Sequence, residues 1–371
     1  MAETPMTVAF VLASYTSDAP AGMERATAAL ALGLRQLGHR AIIITAVRTP
    51  SDDEPDEDLI VLDSLRVTFP ADDDELRSAI TRSEKSIAAD LRALFRRHQV
   101  DVAVYVDGLW GLGRIAPQSR ARSVLAMHVL GHAEDLTPAL HRADVVIAPS
   151  TTVLEQARAN AYDTVGWQVV PNALLGDHQR RAGARRAQLR GVGSVRILAR
   201  LGPEKNVPAL LEAGHVIERP IEVVLAEAGF EHATGSQLAE WHRCAQAAAN
   251  LHFATVRPGG LPWHRVPPWL ANAAAVIVPS LKETFGLVAL EAMSVGTPVI
   301  AFDVGNLPTL IGNGLGGVIV PHFHGEYGLW NATQRLLADP VRYTALSRAA
   351  YYRSRDYLPT TVAQTFLKAV R

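Results

Sequence analysis

Short unbroken apolar runs alternate along this chain with longer stretches in which apolar residues recur at helical spacing. Thr7–Tyr15 (TVAFVLASY) reads as a buried strand, Met23–Leu37 as an Ala/Leu-rich helix stopped by Gly38, and Ala41–Val47 (AIIITAV) as the next strand. An acidic, irregular stretch over 48–75 follows (DDEPDED, then ADDDE). Its carboxylates could be a D-x-D metal motif, but a solvated loop and a helix capped by Asp72 account for them better. That helix is expected to run to Gln99. Strands are then predicted over Asp101–Val106, Ser123–Met127, Asp144–Pro149 and Val169–Val170, with a helix over Thr152–Ala161. This succession reads as one doubly wound α/β domain.

Leu174–Ser194 breaks the rhythm with four glycines and with Arg180, Arg181, Arg185, Arg186 and Arg190. The interdomain connection is placed there, its arginines read as a solvated basic helix rather than as contacts to an anionic partner. The pattern restarts with strand Val195–Ala199, ending at Arg200, and the turn LGPEKN. A helix over Val207–Ala213 has Asn206 as its expected cap and Pro208 in its first turn. Strand Ile221–Ala226, helix Ser236–Ala248 and strand Leu251–Val256 precede the loop RPGGLPWHRVPPW. Next come strand Ala275–Pro279, a loop carrying Glu283, a helix over Phe285–Val295 and strand Pro298–Phe302. Gly316–Pro321 is a last strand, and a helical region begins near Tyr327. The division expected is 1–173 for the first domain, 174–194 for the linker and 195–340 for the second domain. The helical tail, 341–371, is expected to cross back to the first domain.

Composition narrows the class. With 371 residues, two domains of roughly 150–200 residues are expected. A net charge of −1 argues against nucleic acid, which attracts a basic excess. The single cysteine, Cys244, cannot form an internal disulfide, which suits a reducing cytoplasm. The N-terminus lacks a basic segment followed by an apolar one, and no apolar run reaches the ~18–20 residues needed to span a bilayer. The expectation is a soluble cytoplasmic protein whose oligomeric state is open, a dimer being one option.

Two constellations in the second half carry chemistry. Arg200 and Lys205 stand at a strand-to-helix crossing, where a guanidinium and an ammonium can hold a diphosphate, although such a pair in a loop is often simply solvated. Glu283 and Glu291 flank a short helix start, with the amides of Thr284, Phe285, Gly286 and Leu287 between them, where a phosphate would rest. Glu291 has the apolar neighbours Ala289, Leu290, Ala292 and Met293, a costly setting for a carboxylate unless a hydroxyl-rich ligand such as ribose meets it. In the first half, Gly22 is either a turn glycine or a point of close approach to a ligand. His128, at a strand's C-terminal end, is either functional or a packing residue.

The segment PSLKETFGLVALEAMSVGTPVIAFDVG resembles the E-x7-E signature of retaining glycosyltransferases of family 4, which have the GT-B fold. ILARLGPEKNVPALLEA is similar to that family's Arg/Lys segment, GMERATAALALGLRQLGHR to its first helix, and ADVVIAPS and VVPNALL to its strand ends before the linker. The matches stand in family order from Thr7 to about Pro321. The resemblance implies two Rossmann-like doubly wound domains facing across a cleft, and sugar transfer with retention from a nucleoside-diphosphate sugar (UDP- or GDP-type) to a small-molecule acceptor. It implies that Arg200 and Lys205 bind the diphosphate, Glu291 the ribose and Glu283 the sugar ring. The Phe285–Leu287 amides would bind sugar hydroxyls and phosphate. His128 would stand near the anomeric carbon, and Gly22 would let its loop approach the diphosphate. Neither metal nor other cofactor is implied.

Departures are visible at Ala21-Gly22, where two glycines are usual, and in AEAGF (Ala226–Phe230), where a Gly-rich form is usual. Asn306 and Thr309 stand where Gly and Glu are common. The acceptor is expected at the loops Tyr15–Gly22, Asp107–Arg114 and His128–Glu134, and the Ala/Arg-rich composition suits natural-product biosynthesis in a high-GC bacterium. Two alternatives remain. One is a GT-B phosphorylase or nucleotide-sugar epimerase, disfavoured because lysine is sparse for a pyridoxal-phosphate site. The other is a non-catalytic two-domain ligand-binding protein.

Overall fold

The computed structural model describes residues 4–16, 18–20, 22–46, 58–106, 108–231, 233–312 and 314–371. Ala21, Asp107 and most of the acidic run DDEPDED lie outside them. The chain divides into two compact units, Met1–Leu175 with Pro359–Arg371, and Gly176–Leu358.

The first unit is built on seven parallel strands: β1 (Thr7–Leu12), β2 (Arg40–Thr45), β3 (Leu59–Val61), β4 (Val102–Tyr105), β5 (Arg122–Ala126), β6 (Val145–Ala148) and β7 (Gln168–Val169). Their order is β3-β2-β1-β4-β5-β6-β7. Six of the seven carry the predicted apolar runs. The exception, β3, is three residues inside the stretch read as irregular, too short to show a period. The helix expected from Asp72 to Gln99 is two helices, Asp73–Arg82 and Glu84–Arg97, divided at Ser83. Asp72 caps the first in a reciprocal box: its carboxylate accepts from Glu75 N at 2.9 Å, and Asp72 N donates to the Glu75 carboxylate at 3.0 Å.

The last helix, Pro359–Ala369, lies against the first, Gly22–Gln36. Gly33 makes this possible, since a Cβ there would meet the Pro359 carbonyl oxygen at 2.1 Å. The chain therefore returns to the first unit at Pro359, later than the 340/341 boundary suggested by the sequence. The preceding helix, Pro340–Ser354, stays with the second unit. There the Tyr343 hydroxyl donates to Ala274 O at 2.6 Å and the Ser347 hydroxyl to Gly296 O at 2.6 Å, both buried.

The second unit holds six parallel strands: β8 (Val195–Arg200), β9 (Ile221–Ala226), β10 (Ala254–Arg257), β11 (Ala275–Val278), β12 (Val299–Phe302) and β13 (Gly317–Val320), ordered β10-β9-β8-β11-β12-β13. Strand order reverses between β8 and β11, so the loops leaving their C-terminal ends diverge at a topological switch point, where sheets of this kind bind ligands. Ile197, Val223, Leu225, Ile277, Ile300 and Phe302 contribute to the core, closed by Leu210, Cys244 and Trp330.

The expected linker is corrected by the structure. Residues 176–194 belong to the second unit and contain the helix Gly183–Val192. Arg186 is only 2% exposed, not solvated. It donates to Thr297 Oγ1 at 2.6 Å, Ala273 O at 2.6 Å and Ala271 O at 3.3 Å. Arg190 reaches Leu337 O at 2.5 Å, and the Arg180 stem lies against Gly296. The acceptors are carbonyls and a hydroxyl from distant loops, so charge spacing alone could not reveal them.

Candidate functional site

The switch point between β8 and β11 gathers most of the residues singled out from the sequence. β8 delivers Arg200 at its C-terminal end. A single turn of 3₁₀ helix, Pro203–Lys205, then reverses the chain so that Glu204 faces back to Arg200, with Nη2 to Oε1 at 2.5 Å. The guanidinium also lies 5.9 Å from the Phe230 ring centroid. Lys205 Nζ meets Glu283 Oε2 at 2.9 Å, and the Ser280 hydroxyl donates to the same oxygen at 3.4 Å. The backbone joins the two loops as well, Leu281 N donating to Glu204 O at 2.8 Å.

Asn206 stands at the N-cap of the following helix, as expected, but its side chain makes no capping bond. Its backbone is left-handed (φ +56°), and its amide donates to Glu326 Oε1 at 2.7 Å instead, linking the turn to the helix Gly325–Ala338.

The helix bearing Glu291 begins at Leu287, two residues later than expected. Gly286 takes a left-handed conformation (φ +101°) at its N-cap, so Thr284 and Phe285 belong to the loop. The Phe285 side chain is buried edge-on to Tyr357, with ring centroids 5.9 Å apart. Glu291 is 5% exposed, in a helix buried on every side from Ala289 to Ser294.

Sequence reasoning missed what holds this loop in place. Gly305 and Asn306, after β12, sit directly under it. A Cβ on Gly305 would stand 1.8 Å from Glu283 O, so only glycine allows the two backbones to approach. Asn306 N donates to Glu283 O at 3.1 Å, and Asn306 Nδ2 to Phe285 O at 3.1 Å. Asn306 was singled out only as a departure from a family pattern. The available signal was a polar residue placed to open the helix Leu307–Ile311. The second departure, AEAGF, is also held by a side chain: Gln237, 6% exposed, bonds Ala228 N at 2.6 Å and Ala228 O at 3.1 Å.

In the first unit, Gly22 is the exposed first residue of the helix Gly22–Gln36. Two residues on, buried Glu24 accepts from the Ser14 hydroxyl at 2.9 Å, and burial lowers the pKa of Arg25 to about 10 against the opposing pull of Asp18. His128 follows β5 and borders a cavity of about 30 Å³, which Thr27 and Asn172 also line. That volume is enough for water. Desolvation of the half-buried His128 lowers its pKa to about 4, so the ring is neutral at pH 7. The structure thus gathers Arg200, Lys205, Glu283 and Thr284–Leu287 at one switch point, with Glu291 in the adjoining helix, while Gly22 and His128 belong to the other unit. Among the described residues, no group of three or more His, Cys, Asp or Glu side chains could hold a metal ion. Within the same residues, no helix is long and apolar enough to cross a membrane.

Comparison with known proteins agrees with this geometry. The family model for "Glycosyl transferases group 1" matches residues 194–353, and that for "Glycosyltransferase Family 4" matches residues 20–174. A D-inositol 3-phosphate glycosyltransferase of Kribbella flavida is 34% identical over 187 residues, 47% of this chain and 42% of that protein. The match thus spans under half the length of this relative. The sucrose-phosphate synthase of Thermosynechococcus elongatus superposes with a TM-score of 0.77 at 21% identity, covering 98% of both chains. Anabaena Alr3699/HepE, solved in complex with UDP and glucose, gives 0.72 at 18% identity, covering 98% of this chain and 99% of that one. With one family model on each unit and the whole fold shared with such structures, the chain belongs to the family 4 glycosyltransferases of GT-B fold.

Proposed function

We propose that this protein transfers a sugar from a nucleoside-diphosphate sugar, of UDP or GDP type, to a small-molecule acceptor, with retention at the anomeric carbon and without a metal. The observation that carries this reading is the convergence of Arg200, Lys205 and Glu283 at the β8/β11 switch point, beside the glycine-capped start of the Glu291 helix. As the sugar leaves, its C1–O bond breaks and the electron pair passes to the diphosphate oxygen. Two fixed cations then stabilise the growing negative charge without reorganising. Glu283 offers a carboxylate to the sugar hydroxyls, and Glu291 one to the ribose. The acceptor hydroxyl forms the new bond to C1 and gives up its proton to the departing diphosphate oxygen, which has just gained the electron pair. In the first unit, His128, neutral at pH 7, is a further candidate for the reaction.

The relative's name makes D-inositol 3-phosphate the first acceptor to test. The experiment is a thermal-shift screen against UDP, GDP, ADP and dTDP, followed by transfer assays with the matching sugar nucleotides. The expected result is stabilisation by one diphosphate, with transfer abolished by Lys205→Ala and by Glu283→Ala. Full turnover surviving both substitutions would refute it.

A further inference from the structure

The loop from Glu283 to Gly286 must supply a carboxylate and correctly aimed amides if the proposed transfer is right, and two of its carbonyls are held from one neighbouring residue. The geometry points to Asn306 as the positioning residue of this loop, setting how the transferred sugar is held; the inference rests on the proposed function.

Asn306 is 4% exposed and engages the loop at two carbonyls. Its backbone N–H bonds Glu283 O and its side-chain amide bonds Phe285 O, each at 3.1 Å. A trans peptide points its N–H opposite to its C=O. Holding the Glu283 carbonyl therefore aims the Thr284 N–H away from the helix Leu307–Ile311, and holding the Phe285 carbonyl does the same for the Gly286 N–H. Hydrophobic contact reinforces the grip: a Cβ on Gly286 would meet Leu307 Cδ2 at 2.8 Å and Leu310 Cδ2 at 3.2 Å, so this helix fits closely under the glycine. The helix is anchored in turn, its Thr309 and Leu310 carbonyls accepting from Arg353 at 2.5 and 2.7 Å. Arg200 and Lys205 approach from other elements, so a change at Asn306 should weigh far more on the sugar than on the diphosphate.

The test uses Asn306→Asp, the same shape with an oxygen in place of the donor, and Asn306→Ala. For wild type and both variants, calorimetry gives the Kd of the nucleoside diphosphate and of its sugar nucleotide, and initial rates give kcat and KM. The expected result is diphosphate affinity within about twofold of wild type, while the preference for sugar nucleotide over diphosphate, and kcat, each fall at least about tenfold. A merely structural role would lower both affinities together and leave their ratio unchanged, which overturns the inference. Loss of cooperative unfolding in both variants, or wild-type kcat and affinity ratio in both, overturns it equally. Wild-type protein that binds none of the diphosphates would instead refute the proposed function.

Discussion

Substituting Gly305 by alanine would put a methyl carbon where the structure has room for none. The added Cβ would stand 1.8 Å from the Glu283 carbonyl oxygen and 2.8 Å from the carbonyl carbon. Van der Waals contact between carbon and oxygen requires about 3.2 Å, so the Glu283 peptide must retreat by roughly 1.4 Å. The obstacle is backbone rather than the tip of a flexible side chain, so rotamer changes cannot relieve it. Gly305 also has φ +53°, a left-handed conformation that costs alanine about 1–2 kcal/mol. A reacting geometry displaced by about 1 Å loses on the order of 100-fold in rate, equivalent to about 2.7 kcal/mol of barrier. Gly305→Ala should therefore lower kcat/KM for sugar transfer about 100-fold and stability by about 2–5 kcal/mol, the left-handed backbone and the clash together, while Arg200 and Lys205 still bind the diphosphate. Initial rates, urea unfolding and calorimetry with the nucleoside diphosphate measure the three quantities. Transfer within about threefold of wild type would refute the reasoning, because the Glu283 carbonyl would then have moved without consequence.

Other outcomes follow from the same coordinates. Arg186→Ala leaves two carbonyls and a hydroxyl without their buried donor and should cost about 3 kcal/mol by urea unfolding; a loss below about 0.5 kcal/mol would mean that water replaces the guanidinium. Gly33→Ala drives a methyl into the Pro359 carbonyl and should displace the last helix, seen as faster hydrogen exchange over Pro359–Ala369; unchanged protection there would count against the close crossing. NMR should find the His128 ring titrating near pH 4. Because folding lowers that pKa from 6.5, the unfolded chain binds more protons between pH 6.5 and about 4. This group's contribution to stability therefore falls as pH drops through that window, and a ring titrating above pH 6 would show that water reaches it freely.

Much of the architecture was legible in the residue order. Buried strands of a parallel sheet announce themselves as apolar runs, and the turn after β8 and the loop after β11 could be placed because strand ends and helix starts have local signatures. Arg200 and Lys205 could be nominated on residue type and place, since diphosphate chemistry needs cations, while the sugar contact of Glu283 came only from the resemblance to a family. Local sequence could not show which chain segments meet across the sheet. Whether Arg186 is solvated or buried depends on two carbonyls and a hydroxyl 85 to 111 residues away. β3 needed the edge of β2 to exist at all, and the 3₁₀ turn placed Asn206 against Glu326, 120 residues on, rather than over its own helix. The support of Glu283 by Gly305 and Asn306 belongs to the same class. Hydrophobic period and capping chemistry act over a few residues and are written in the sequence. A backbone contact at a position that tolerates no Cβ comes into being only when two strands, β11 and β12, lie side by side.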